Sequence, residues 1–195
     1  MNHAVSHNSS VEVPVWRLGI WWFLASEIVV FGGLVVCYIL YRFNHPEWGM
    51  EAGRTLLWIG SVNTVVLLTS SLTMILAHYS IVEKGDLALG RRYLGVTILL
   101  GLLFLCFKGY EYSHEIHAGL VPSRSLFWGF YYLMTGLHGL HVIGGLVANG
   151  VILGGLSQGR TPHRIESIGL YWHFVDVVWI FLFPLLYLAS QGGAS

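Results

Sequence analysis

The chain has 195 residues, of which 55% are hydrophobic and only 10% are charged, whereas soluble domains carry about 25% charged residues. Ten Lys and Arg balance ten Asp and Glu, which excludes the basic surface of a nucleic-acid-binding protein and the high net charge of a disordered chain. The two cysteines, Cys37 and Cys106, form no CxxC pattern, which argues against a disulfide scaffold or a thiolate metal site. The composition therefore predicts an integral membrane protein.

Five apolar stretches are long enough to cross a bilayer as helices, which takes about 20 residues. In chain order they cover residues 18–41, 56–78, 93–114, 126–154 and 170–189. The polar segments between them are short, so no soluble domain is left over. The sequence predicts an all-α fold in which residues 1–195 form a single transmembrane domain, a bundle of five helices.

The orientation of the helices is predicted from the positive residues in the loops, because Lys and Arg accumulate on the cytoplasmic side. Residues 1–15 are polar but lack Lys and Arg, unlike a signal peptide, so we expect the first helix to direct insertion. The side that holds the N-terminus carries six positive residues, which are Arg17, Lys84, Arg91, Arg92, Arg160 and Arg164. The other side carries Arg42, Arg54 and Arg124, with Lys108 near its end of the third helix. We predict an N-terminus inside and a C-terminus outside.

Ionisable side chains within the predicted helices are candidate functional residues, because each costs about 3 kcal/mol or more at the bilayer centre. Glu27 lies near the middle of the first helix. It is either a proton-exchanging or interface carboxyl, or a protonated carboxyl that bonds a neighbouring helix. Lys108, Glu111 and His114 follow one another at a spacing of three, which predicts one helix face and a Lys–Glu ion pair.

Histidines form a second group of candidates. His138 and His141 lie three residues apart in the fourth helix, His173 and Asp176 lie in the fifth, and His78 closes the second. The spacing of His173 and Asp176 predicts a charge-assisted hydrogen bond between them.

These histidines do not form a recognisable metal pattern. A bis-histidine haem needs histidines at matching depth on different helices, but His138 and His141 share one helix. A di-iron bundle needs two Glu-x-x-His motifs, and only Glu111–His114 is present. Phosphate-binding glycine loops and the GxSxG elbow are also missing from the sequence. We expect no metal site, no cofactor site and no catalytic residues in this chain.

Aromatic and small residues suggest how the helices are placed. Tryptophans, among them Trp21, Trp48, Trp128 and Trp172, lie near predicted helix ends, which is typical of rings at the lipid headgroups. The chain also has 24 glycines, many inside the predicted helices. They favour either close packing within the bundle or docking onto another membrane subunit.

Five sequence strings, in this order along the chain, closely resemble subunit III of the haem-copper terminal oxidases. They are WWFLASEIVVFGG (21–33), NTVVLLTSSLTMILAHY (63–79), KGYEYSH (108–114), TGLHGLHVIGG (135–145) and YWHFVDVVWIFL (171–182). Together they span all five predicted helices.

The resemblance implies a non-catalytic membrane subunit of a cytochrome c oxidase, an oxidoreductase and proton translocase of aerobic electron transport. Such a subunit packs on catalytic subunit I, alongside subunit II and other oxidase subunits. The catalytic subunit holds the haem and copper, while subunit III binds phospholipid and supports proton uptake and stability during turnover. Glu27 matches the family's mid-membrane carboxyl, and the other motifs contain Lys108, Glu111, His138, His141, His173 and Asp176.

One departure concerns length. Mitochondrial-type members have seven helices, and the first two have no counterpart here, so the lipid-filled cleft that they border cannot be transferred to this chain. The five-helix form is typical of bacteria and archaea, which implies a location in the cell inner membrane.

Four alternatives stay open. Two close variants are the subunit III of a quinol oxidase and the related accessory subunit of nitric oxide reductase; the sequence offers little to separate them, and cytochrome c oxidase is favoured because it is the more frequent. More distant alternatives are a membrane anchor that binds haem b through His138 and a histidine of another helix, and a proton-coupled transporter that uses Glu27.

Overall fold

The computed structural model describes residues 15–158 and 165–188, and within them all regular structure is helical. Five helices are long and apolar enough to cross a membrane, which confirms the predicted all-α architecture. The helices are α1 (Val15–Asn44), α2 (Trp48–Ala52), α3 (Leu57–Val82), α4 (Leu87–His117), α5 (Leu126–Ser157) and α6 (Ile165–Tyr187).

The helices extend beyond several of the predicted boundaries. Helix α4 begins at Leu87 rather than near residue 93, because the Asp86 side chain caps it by accepting a hydrogen bond from the Leu89 N–H at 2.9 Å. The charged residues Arg91 and Arg92 therefore lie inside the helix although they precede its apolar run. The short helix α2 was not predicted, since five residues are too few to show a hydrophobic period.

Helices α3 to α6 form a closed ring in which α3 packs on α4, α4 on α5, α5 on α6, and α6 on α3. Helix α1 lies outside this ring, against α6 and less extensively against α5. Arg160 and Arg164, which entered the orientation argument, lie outside the described residues, as does the side chain of Arg17. The orientation of the bundle therefore remains a prediction.

Trp172 shows how glycine permits close packing in this bundle. Its ring is fully buried, and its Nε1 donates a hydrogen bond to Ser70 Oγ at 3.1 Å. A Cβ at Gly145 would lie 2.6 Å from Trp172 Cε3, and one at Gly101 would lie 2.9 Å from Cη2. These two glycines therefore make room for the indole between α4, α5 and α6.

The tryptophans near helix ends differ in their surroundings. Trp48, Trp128 and Trp172 are buried inside the protein, whereas Trp21 is 60% exposed. Proximity to a helix end does not reveal whether a ring faces lipid or a neighbouring helix.

We expect Gly145→Ala to lower the free energy of unfolding by about 1–3 kcal/mol, because the new methyl group must displace a fully packed indole. Gly150→Ala in the same helix is the matched control, since a Cβ there meets nothing within 4 Å. Alanine also favours helix over glycine, so the control should be neutral or slightly stabilising. Thermal unfolding of both variants in the same detergent measures the difference, and equal midpoints would contradict the packing argument.

Candidate functional site

A buried ion pair lies between α4, α5 and α6. Lys108 Nζ donates hydrogen bonds to Glu111 Oε2 at 3.0 Å, to Tyr131 Oη at 2.9 Å and to Tyr187 Oη at 2.5 Å. Tyr131 Oη in turn donates to Glu111 Oε1 at 3.0 Å. The predicted Lys108–Glu111 pair is therefore present, and two tyrosines from other helices complete its hydrogen bonding.

Aromatic rings surround the ammonium group of Lys108. Its Nζ lies 4.7 Å from the ring centroid of Tyr131, 5.1 Å from Tyr112, 5.2 Å from Tyr187 and 5.6 Å from Trp179. Ring faces attract a cation, and more strongly where water is excluded. Tyr187 meets Nζ through its hydroxyl oxygen, at the edge of its ring, so the positive charge is stabilised by one carboxylate, by two hydroxyl oxygens and by the other rings around it.

The predicted face of α4 is wrong at its third member. His114 is exposed, whereas Glu115 is fully buried beside the ion pair. With 3.6 residues per turn, seven residues make almost two complete turns, while six fall about a third of a turn short. Glu115 therefore continues the face of Lys108, and a spacing of seven would have identified it.

Glu27 of α1 contacts His141 of α5. Glu27 Oε2 lies 3.0 Å from His141 Nε2, and His141 Nδ1 lies 2.8 Å from the backbone oxygen of Leu137. A carbonyl oxygen only accepts, so Nδ1 carries a hydrogen. One further proton then lies between Nε2 and the carboxyl group, on either the imidazole or Glu27.

The surroundings of this pair are mostly apolar. The side chains of His141 and Glu27 are 13% and 16% exposed, and the Phe31 ring meets the imidazole edge-on at 5.3 Å between centroids. Tyr171 Oη donates to the His141 backbone oxygen at 2.9 Å. Both interpretations of Glu27 thus find support, because it bonds a neighbouring helix through a group that can exchange a proton.

The third group of candidates lies where α3 meets α6. His173 Nδ1 is hydrogen-bonded to Ser71 Oγ at 2.7 Å, and neither carboxyl oxygen of Asp176 has a hydrogen-bond partner among the described residues. The predicted His173–Asp176 hydrogen bond is therefore wrong: the imidazole bonds a side chain of α3 instead. His78 and His173 both line a groove of about 310 Å³.

His138 is buried without hydrogen bonds. Neither ring nitrogen has a partner in the described part of the chain, although only 1% of the residue is exposed. The ring packs against Phe104 and Trp179, at 5.6 Å and 5.2 Å between centroids. It belongs to the aromatic core and takes no part in the Glu27–His141 hydrogen bond, although it is only three residues from His141.

The structure thus separates the candidates into small groups and does not gather them at one site. Within residues 15–158 and 165–188, no three His, Cys, Asp or Glu side chains come close enough together to hold a metal ion. Sequence reasoning missed Tyr131, Tyr187, Ser71 and Glu115. The first three carry no local signal, because their partners lie on other helices.

We expect Lys108→Met to destabilise the fold by about 3–5 kcal/mol, since Glu111 would lose its buried counter-charge. The double variant Lys108→Met/Glu111→Gln should recover much of this loss, because glutamine is neutral without the free-energy cost of protonating a carboxylate. Unfolding in detergent compares the two variants. A double variant that is no more stable than Lys108→Met would contradict the role of the ion pair.

The sequence is similar to those of proteins from one family. The sequence model of the family described as cytochrome c oxidase subunit III matches residues 2–191. Cytochrome c oxidase subunit 3 of Thermostichus vulcanus is 35% identical over 96% of this chain and 94% of its own length. The probable cytochrome c oxidase subunit 3 of Nocardia farcinica is 38% identical, covering 91% and 86%. A probable quinol oxidase subunit 3 of Staphylococcus saprophyticus is 34% identical, covering 90% and 89%. The chain belongs to the cytochrome c oxidase subunit III family.

Proposed function

We propose that this chain is a non-catalytic subunit that covers one flank of the oxidase's catalytic subunit in a bacterial or archaeal inner membrane. The observation that carries this proposal is the exposed apolar surface of the bundle. In the most apolar window of each spanning helix, only 17–39% of the residues are buried inside the protein. Such a surface needs lipid or other membrane proteins against it, and subunits I and II are the partners that fit the family.

The buried ionisable groups support a role without an active site in this chain. Lys108 is fully used by Glu111 and two tyrosines, and Glu27 is used by His141. Groups engaged with one another in this way stabilise helix contacts and are not open to a ligand, while His138 packs among aromatic rings. Haem and copper then reside in the catalytic subunit, which carries out the oxygen chemistry.

A role in lipid binding is supported by an apolar groove between α1 and α6. The groove measures about 270 Å³, and its walls include Phe31, Gly32 and Val35 of α1 and Phe174 and Phe181 of α6. Phe31 also contacts His141. An acyl chain in this groove would shield the Glu27–His141 pair and secure α1, which has few protein contacts of its own.

A role in proton uptake and stability during turnover is supported by the same pair. A single proton shared between Glu27 and His141 can shift from one to the other without a change in net charge. We also propose an N-terminus inside, on the distribution of Lys and Arg. The Glu27–His141 pair lies in the middle parts of α1 and α5, so it would lie within the membrane, beside a partner that takes up protons.

The electron donor distinguishes two versions of this function. Cytochrome c oxidase is the main proposal. A quinol oxidase is the second candidate, because the quinol oxidase subunit of Staphylococcus saprophyticus is nearly as similar to this chain as the cytochrome c oxidase subunits are. Donor oxidation by the purified complex separates the two: reduced cytochrome c is consumed in one case and a quinol in the other.

We expect the full chain, purified in mild detergent, to bring with it a haem-copper catalytic subunit and phospholipid. Mass spectrometry identifies the proteins, and an absorption spectrum detects haem. A Soret band from the chain after it has been separated from all partners would instead favour the haem b anchor. Purification without any oxidase subunit would contradict the proposed function.

We expect Glu27→Gln to leave the haem spectrum of the complex unchanged but to shorten the time for which it keeps turning over. Glutamine can still bond His141 Nε2, yet it cannot exchange a proton with it. Ser26→Ala is the control, because Ser26 is exposed and bonds only its own helix. Oxygen consumption followed to inactivation gives the lifetime. Loss of haem, or lifetimes equal to the control, would contradict this role.

A further inference from the structure

Glu115 is a buried carboxyl group that the proposed function does not use. It is 0% exposed, and neither of its carboxyl oxygens has a hydrogen-bond partner among the described residues. It lies on α4 two positions before the helix ends at His117, on the same face as Lys108. A buried carboxylate without a donor is costly in any protein and more so in a membrane.

The hydrogen-bond donors around Glu115 are already occupied. An ammonium group has three hydrogens, and those of Lys108 go to Glu111, Tyr131 and Tyr187. The hydroxyl groups of Tyr131 and Tyr132 also lie near the Glu115 carboxyl group. Their hydrogens go to Glu111 and to the backbone oxygen of Leu120. A negative charge on Glu115 would therefore gain a hydrogen bond only if Tyr131 or Tyr132 gave up its present acceptor.

The charges around Glu115 also disfavour its ionised form. The titratable groups that act on it are Lys108, Glu111 and Tyr112 of its own helix, Tyr131 and Tyr132 of α5, and Tyr187 of α6. Lys108 is the single cation of this set, and it is paired with Glu111. An ionised Glu115 would thus leave the cluster with a net negative charge in a medium of low dielectric constant.

We propose that Glu115 is a proton-binding site that holds its proton at neutral pH and so keeps this cluster electrically neutral. Release of the proton would set two carboxylates, Glu111 and Glu115, in competition for one lysine. Spacings of three and seven residues place Glu111 and Glu115 on the same helix face as Lys108, and the charge of Lys108 acts on both, so the proton decides which carboxylate Lys108 serves.

The chain segment after α4 is bonded to the backbone of Glu115. The Leu120 N–H donates to the backbone oxygen of Glu115 at 2.9 Å, and Tyr132 Oη donates to the Leu120 oxygen at 3.0 Å. Leu120 itself is only 6% exposed. Because Glu115 is 0% exposed, exchange of its proton with water requires the surrounding protein to open, so exchange in heavy water should be slow.

Infrared spectroscopy of the full chain, purified with the subunits that accompany it, tests the proposal at pH 7. The C=O stretch of a protonated carboxyl group absorbs at a different infrared frequency from the stretches of a carboxylate. We expect Glu115→Gln to remove one protonated-carboxyl absorption relative to the wild type. Lys108→Met should add one, because Glu111 then has no counter-charge and takes up a proton.

Glu47→Gln is the control. Glu47 lies in the exposed segment before α2, where hydrogen bonds from its own backbone N–H and from His45 lower its pKa, so it is ionised at pH 7. This variant should leave the protonated-carboxyl absorption unchanged. If Glu115→Gln also leaves it unchanged, Glu115 is ionised and the proposal is overturned. Should Lys108→Met fail to fold, the comparison of Glu115→Gln with Glu47→Gln still decides.

Discussion

The structure depends on the Lys108–Glu111 ion pair, because a bilayer offers no water to a charged side chain. The pair joins three helices: α4 supplies both charges, α5 supplies Tyr131, and α6 supplies Tyr187. Removal of any one of these groups leaves a donor or acceptor unsatisfied in apolar surroundings. The end of the bundle that carries the α4–α5 connection is therefore fixed by hydrogen bonds that cross between helices.

The same principle applies across the rest of the bundle. Lipid chains are as apolar as the helix surfaces, so hydrophobic burial contributes little to helix association, and polar contacts and close packing replace it. Each contact of this kind joins two helices: Trp172 to Ser70 at 3.1 Å, and Trp179 to Thr64 at 3.0 Å. Both bonds connect α6 to α3, while glycines bring the backbones near enough for the indole of Trp172.

Helix α1 differs from the others in its attachment. Outside the ring of α3 to α6, it is held by the Glu27–His141 contact and by the hydrogen bond from Tyr38 Oη to the Leu185 oxygen at 3.1 Å. The group proposed to exchange a proton is thus also a group that attaches the helix. A change in the protonation of Glu27 would act directly on the contact between α1 and the bundle, which links proton exchange to the stability of the subunit.

The sequence by itself determined the number of spanning helices and the residue types that need a partner, because twenty apolar residues in a row and a charge among them each have a single physical meaning in a bilayer. It also predicted the Lys108–Glu111 pair, since both residues lie on one helix and local spacing suffices. Only the tertiary structure decided that Glu27 meets His141 and that His173 bonds Ser71 rather than Asp176. Those partners lie on different helices, and no local period records which helix faces which.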